Sequence, residues 1–141
     1  MNEVAVGILM EDGRVLACQR SATSRYPLKW EFPGGKLEPG ENPRETLRRE
    51  IREELDLEVM ALEEFHRQEW VYPEGVDDPG NDGAFRVYYF LVRKFRGNPV
   101  NRVFRAIRWV RPAELLSMDI LEGNREAIHR LLESDGSRSG S

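Results

Sequence analysis

Residues 35–57 read GKLEPGENPRETLRREIREELDL, a glycine-marked turn running into a charged helix. Asn42 is a good helix N-cap, Pro43 suits the first helical position, and Glu45 stands three residues after the cap, as in a capping box. The helix is therefore predicted to start at Pro43. Leu47, Ile51 and Leu55 form an apolar stripe. Beside it Glu50, Glu53 and Glu54 share one face at i, i+3 and i+4, while Arg48 and Arg52 point elsewhere. Like charges so close repel, and a hard divalent cation with oxygen ligands relieves them. The bland alternative is an exposed helix laced with Arg–Glu pairs, of which Arg49 with Glu53 is one. The fixed spacing to the glycine turn favours the metal face.

The pattern of Gly35, Glu41 and then Arg49-Glu50-Ile51-x-Glu53-Glu54-x-x-Leu57 resembles the Nudix box, the signature of enzymes that hydrolyse nucleoside diphosphates linked to another moiety. One position departs: where the family usually has glycine, this chain has Asp56. Aspartate tolerates the left-handed, helix-ending conformation better than most residues. The stretch before the box, Trp30-Glu31-Phe32-Pro33-Gly34-Gly35-Lys36, is similar to the MutT branch, which removes damaged nucleoside triphosphates. The resemblance covers nearly the whole chain. Only the box and this lead-in are highly specific.

The resemblance implies that the Gly35 carbonyl, Glu50, Glu53 and Glu54 ligate magnesium or manganese. Arg49 would orient these carboxylates, and Glu41 would brace the loop. Arg20 falls where the branch keeps a basic pair that contacts phosphate, although Gln19 replaces the other half of that pair. Some members take their general base from a glutamate before the strand that holds Trp109. Here the region reads Asn101-Arg102-Val103-Phe104, without a carboxylate, so water activation is assigned to Glu50. Asp119 to Asn124 resembles the segment in which an asparagine reads the purine edge, so Asn124 is the candidate for base recognition. Capping the last helix is an equal alternative for it. Phe32 is assigned to the substrate site. With Trp30, Tyr72 and Phe85 it offers a stacking surface for a base, although such rings more often belong to a core.

The chain of 141 residues suits one domain, expected over residues 1–133. Ser134 to Ser141 has too little apolar surface to order, and part of it reads as an appended remnant. The net charge of −4 gives no broad attraction to nucleic acid or to an anionic membrane, so a polyanionic substrate must meet local positive charge or metal. No signal-peptide-like or membrane-length apolar run occurs, and the one cysteine, Cys18, has no internal disulfide partner. A cytoplasmic protein, monomer or homodimer, is the expectation, with Cys18 in the core.

Asn2 to Met10 and Val15 to Cys18 are apolar runs around Glu11-Asp12-Gly13, a predicted hairpin. Leu57 to Tyr72 reads as one long or two short strands. Residues 73–84, PEGVDDPGNDGA, read as a solvent-facing loop. Phe85 to Val92 is apolar on both alternations, a strand covered on both faces. A strand over Val103 to Val110, a helical turn at Pro112 to Leu116 and a helix over about 122–133 follow. The order predicts an α+β or α/β fold, a mixed sheet between helices, and the α/β/α sandwich implied by the Nudix resemblance is of this kind.

The activity implied is metal-dependent hydrolysis of a nucleoside triphosphate to monophosphate and pyrophosphate. A second enzyme reading is a pyrophosphatase of ADP-ribose, a nucleotide sugar or a dinucleoside polyphosphate. It rests on Pro73, sixteen residues past the box, which resembles an ADP-ribose marker. A reading of another class is a nucleotide sensor that does not cleave. The intact glutamates at 50, 53 and 54 argue against that.

Overall fold

The computed structural model describes residues 1–72 and 83–139, with side chains up to Ser134. Pro73 and most of the loop expected at 73–84 lie outside the described residues, as do the last two residues of the tail.

The predicted hairpin forms. Strand β1 (Asn2–Glu11) turns through Asp12 and Gly13, both at positive φ, into β2 (Arg14–Gln19). A two-residue Asp-Gly turn of this kind carries the twist that lets paired strands continue. Short strands β3 (Trp30–Glu31) and β4 (Gly34–Lys36) follow, then helix α1 (Pro43–Leu55), β5 (Glu58–Val71), β6 (Ala84–Arg96), β7 (Ala106–Val110) and α2 (Arg125–Ser139). The strand order is β3-β2-β1-β6-β5, with β4 on β1 and β7 on β2. β1 runs parallel to β6 along Asn2 to Leu9. Its other edge is shared, β4 taking Val4 to Val6 and β2 taking Met10 and Glu11. The sheet is therefore mixed, and its halves part beside β1.

Both faces of the central strands are buried, as the sequence of β6 predicts. Val6, Ile8, Val15, Ala17, Tyr89 and Leu91 join a core on the side of α2. Ala5, Leu9, Leu16, Cys18, Phe90 and Val92 join a second core with Leu47, Ile51 and Leu55 of α1. The three α1 residues are fully buried, each contributing roughly 1.5–3 kcal/mol. Cys18 is buried with them.

Helix α1 begins where its sequence says. Asn42 accepts from the Glu45 amide at 2.9 Å and Glu45 accepts from the Asn42 amide at 3.0 Å, closing the capping box. It ends at Asp56 with φ 57° and ψ 39°, the left-handed conformation expected of that residue.

β5 is one long strand, the first of its two sequence readings, bulged between Val59 and Ala61, between Ala61 and Glu63, and between Glu64 and His66. Two boundaries differ from their sequence readings. β7 starts at Ala106 rather than Val103, because the preceding segment serves α1: Val100 N–H donates to the Leu55 carbonyl and Arg102 N–H to the Glu54 carbonyl. Asn101 then holds a tight turn through both backbone polar groups of Phe104. The last helix continues to Ser139, past the expected end at 133. Among the described residues no helix is long and apolar enough to cross a membrane.

Candidate active site

Strand β4 joins two features that the sequence shows only separately. On one side lies the glutamate face of α1. Gly34 N–H donates to the Glu54 carboxylate at 3.0 Å, and a Cβ on Gly35 would overlap the Glu50 carboxylate. A Cβ on Gly34 would run into the Ala5 carbonyl, so the two glycines allow β4 to lie between β1 and α1. On the other side, over the α2 face of the sheet, is a cavity of about 400 Å³. Lys36 belongs to both regions: its carbonyl accepts from Arg49, and the residue lines the cavity.

Arg49 organises the glutamate face. It donates to Glu41 through Nε at 2.7 Å and Nη2 at 3.0 Å, and through Nη1 to Glu50 at 3.0 Å and Glu53 at 3.3 Å. Glu41 also accepts from the Glu38 amide and the Thr46 hydroxyl, so it braces the loop before the helix. The Arg49 bonds, with that amide bond, hold the Glu41 carboxyl down at about 2. Glu54 is the opposite case. Burial first, then the nearby Glu50 charge, push its carboxyl up to about 8. Burial likewise raises Glu50, against the opposing effect of Arg49.

Two acidic groups thus press on the Gly34–Gly35 backbone, and among the described residues no cation pairs with Glu54. Glu53 stands apart from them, 57% exposed and turned to Arg49. Among the described residues no three acidic, histidine or cysteine side chains are gathered about one point. The donor set nevertheless fits a hard divalent ion: it is all oxygen, and its inner carboxylate is held unfavourably without a counter-charge.

The cavity has an apolar body and a few polar groups. Phe32 is 4% exposed, at once part of the core and of the cavity wall. Tyr26, Trp70, Tyr72 and Phe85 form an aromatic cluster, with the Tyr72 ring 4.8 Å from Tyr26, 6.0 Å from Phe85 and 6.1 Å from Trp70. Arg20 also lines the cavity, but it is engaged, bonding Glu31 at 2.9 Å and the Arg25 carbonyl at 2.8 Å. Asn124 is 7% exposed, and its Nδ2 donates to the Tyr89 hydroxyl at 2.8 Å. Its Oδ1 is buried without a partner. That amide caps no helix, which removes the alternative reading of Asn124.

Sequence reasoning assigned no role to Glu31, Lys36, Tyr26, Gln68 or Tyr89. Glu31 lay within the quoted lead-in, and Tyr72 with Phe85 were named as stacking surfaces. Gln68 carries no local signal, since it reads as one polar residue in a mixed strand.

A NUDIX domain model matches residues 1–131. The 8-oxo-dGTP diphosphatase of Haemophilus influenzae is 30% identical over 131 residues, covering 92% of this chain and 90% of that protein. The CTP pyrophosphohydrolase of Escherichia coli is 34% identical over 116 residues, 82% of this chain and 80% of that protein. The solution structure of the E. coli ORF135 protein superposes with a TM-score of 0.83 at 28% identity, covering 100% of this chain and 95% of that one.

Proposed function

The chain belongs to the Nudix family, and from that premise we propose that it is a metal-dependent nucleoside triphosphate pyrophosphohydrolase, converting a triphosphate and water to the monophosphate and pyrophosphate. The observation that carries this is the junction at β4, where a carboxylate face and a cavity with an aromatic wall meet across three residues. The names of its relatives, a diphosphatase of 8-oxo-dGTP and a pyrophosphohydrolase of CTP, support nucleoside triphosphates as the substrate class.

In this reading Glu50, Glu53, Glu54 and the Gly35 carbonyl hold magnesium or manganese. The ion, when bound, would screen the phosphoryl oxygens and the charge that develops on the leaving group. Arg49 keeps Glu41, Glu50 and Glu53 in register through its planar set of donors, which a lysine does not reproduce. Glu50 takes a proton from the attacking water, directly or through the metal. Lys36 and Arg20, which both line the cavity, would meet the polyphosphate. The aromatic wall takes the base and Asn124 reads its edge.

The test is hydrolysis by the purified protein, with magnesium and without, of natural and oxidised dNTPs, CTP, ADP-ribose and dinucleoside polyphosphates, resolving phosphate from pyrophosphate. Magnesium-dependent release of pyrophosphate from a triphosphate is expected. Preference for ADP-ribose, or tight binding without turnover, would overturn the proposal.

A further inference from the structure

Beneath Asn124 runs a hydrogen-bond chain whose polarity is set by its fixed members. The Gly123 carbonyl can only accept. It receives Gln68 Nε2 at 2.7 Å and the Tyr89 hydroxyl at 3.3 Å. With its one proton committed there, Tyr89 has only lone pairs to offer Asn124. With the hydroxyl turned to Gly123, the atom 2.8 Å from its oxygen is the amide nitrogen Nδ2. The two ends of a side-chain amide are alike in shape, and such a network is what distinguishes them. Gln68 is fixed in the same way: its Nε2 is committed to Gly123, so its Oε1 faces His66 Nε2 at 3.1 Å and accepts from it.

The chain is dry. Tyr89 is 1% exposed, and Gln68 and Asn124 are each 7% exposed, so water does not replace a missing partner cheaply. Its one unmatched atom is Asn124 Oδ1, itself buried, in a residue that lines the cavity. Tyr88, the neighbour of Tyr89 on β6, belongs to the opposite core and has Arg67 over its ring, so only Tyr89 reaches this network.

We infer that Tyr89, backed by Gln68, is a positioning residue for specificity: it holds Asn124 with its carbonyl oxygen as the acceptor, so that the cavity favours the nucleobase whose edge places an N–H donor at that oxygen. The inference rests on the reading of the cavity as a nucleoside site. It gives Tyr89 no contact with the base and no part in the chemical step.

The test compares kcat and KM of wild type, Tyr89→Phe and Asn124→Ala for the four dNTPs. Tyr89→Phe keeps the ring and frees the amide to turn over. The ratio of kcat/KM between best and worst nucleotide is expected to narrow about tenfold, the size of one good base contact, through KM of the preferred nucleotide and with kcat within about twofold. Loss of folded protein would instead lower every nucleotide's rate together and leave the ratio unchanged. If Asn124→Ala abolishes discrimination while Tyr89→Phe retains the wild-type ratio, Asn124 reads the base without help from Tyr89 and the inference is overturned. If no triphosphate is turned over by wild type, the proposed function itself fails. A measurement on wild type alone guards against a misfolded variant: the Asn124 side-chain N–H protons should show magnetisation transfer to the Tyr89 ring, and its absence would mean that the oxygen faces Tyr89.

Discussion

The backbone amide of Gly34 donates to the Glu54 carboxylate across 3.0 Å, tying β4 to the last turn of α1. Among the described residues that bond is the one hydrogen bond to a half-buried carboxylate that stands beside Glu50. The turn and the helix are thus held together by a group poorly suited to stand there alone, and the electrostatic cost is relieved by a proton or by a cation.

A pH dependence follows for the protein kept free of metal by a chelator. An unfolded glutamate titrates near 4.3, whereas burial and the Glu50 charge push Glu54 up to about 8 in the folded protein. Below about pH 4 both states hold the proton and this group leaves stability unchanged. Between the two values the folded state holds the proton and the unfolded state does not, so stability falls as pH rises, levelling off above about 8. Thermal unfolding in chelator at a series of pH values should show this contribution. Glu54→Gln should flatten it and raise the midpoint at pH 8, and magnesium should do the same for wild type.

Replacing Glu53 or Glu54 separates catalysis from folding. Glu53 is more than half exposed, so Glu53→Gln should leave the unfolding midpoint almost unchanged while magnesium-dependent turnover falls by at least about 100-fold. Glu54→Gln should match it in activity yet unfold cooperatively. Near-normal turnover of either variant would remove that residue from the metal site. For Glu50, the pH–rate profile of Glu50→Gln is the decisive measurement: retention of the wild-type shape and height would exclude it as the base.

Asp56 occupies the position where the resembling sequences carry glycine, and it adopts φ 57°. Its ion pair with Arg102, 3.3 Å long and about half exposed on both sides, adds little. Asp56→Gly should therefore be neutral or stabilising by about 0.5 kcal/mol, and Asp56→Ala destabilising by about 1 kcal/mol, because alanine has a Cβ and no polar group to favour the left-handed conformation. Denaturant midpoints of the two variants check the ordering.

What was legible in the sequence was whatever is encoded locally. The capping box of α1, its apolar stripe, the Asp-Gly hairpin and the two-faced burial of β6 each depend on spacings within a dozen residues, and each appears as read. The start of β7 was not legible because Val100 and Arg102 donate to carbonyls of α1, at Leu55 and Glu54, far back along the chain. The same distance problem hid Tyr89 and Gln68, whose partners at Gly123 and Asn124 lie 34 to 55 residues along the chain. Asn124 drew attention through the segment around it, but that its side chain caps no helix needed the structure.

Gly35 offers the sharpest separation of backbone from ligand geometry. No positive φ demands glycine there, so an added methyl group strains nothing in the chain itself. It would, however, occupy the space of the Glu50 carboxylate. That carboxylate is the far end of a flexible side chain, and it can move aside, away from the backbone carbonyl with which it would share an ion. Gly35→Ala should therefore cost at most about 1–3 kcal/mol in stability, the range for a small overpacking. Its magnesium requirement should rise by an order of magnitude or more, because affinity for a hard ion depends on ligand count and placement. Magnesium titration of the reaction at saturating nucleotide reads the effect directly. Unchanged half-saturation by magnesium in a folded Gly35→Ala protein would mean that Glu50 and the Gly35 carbonyl do not act on the same ion.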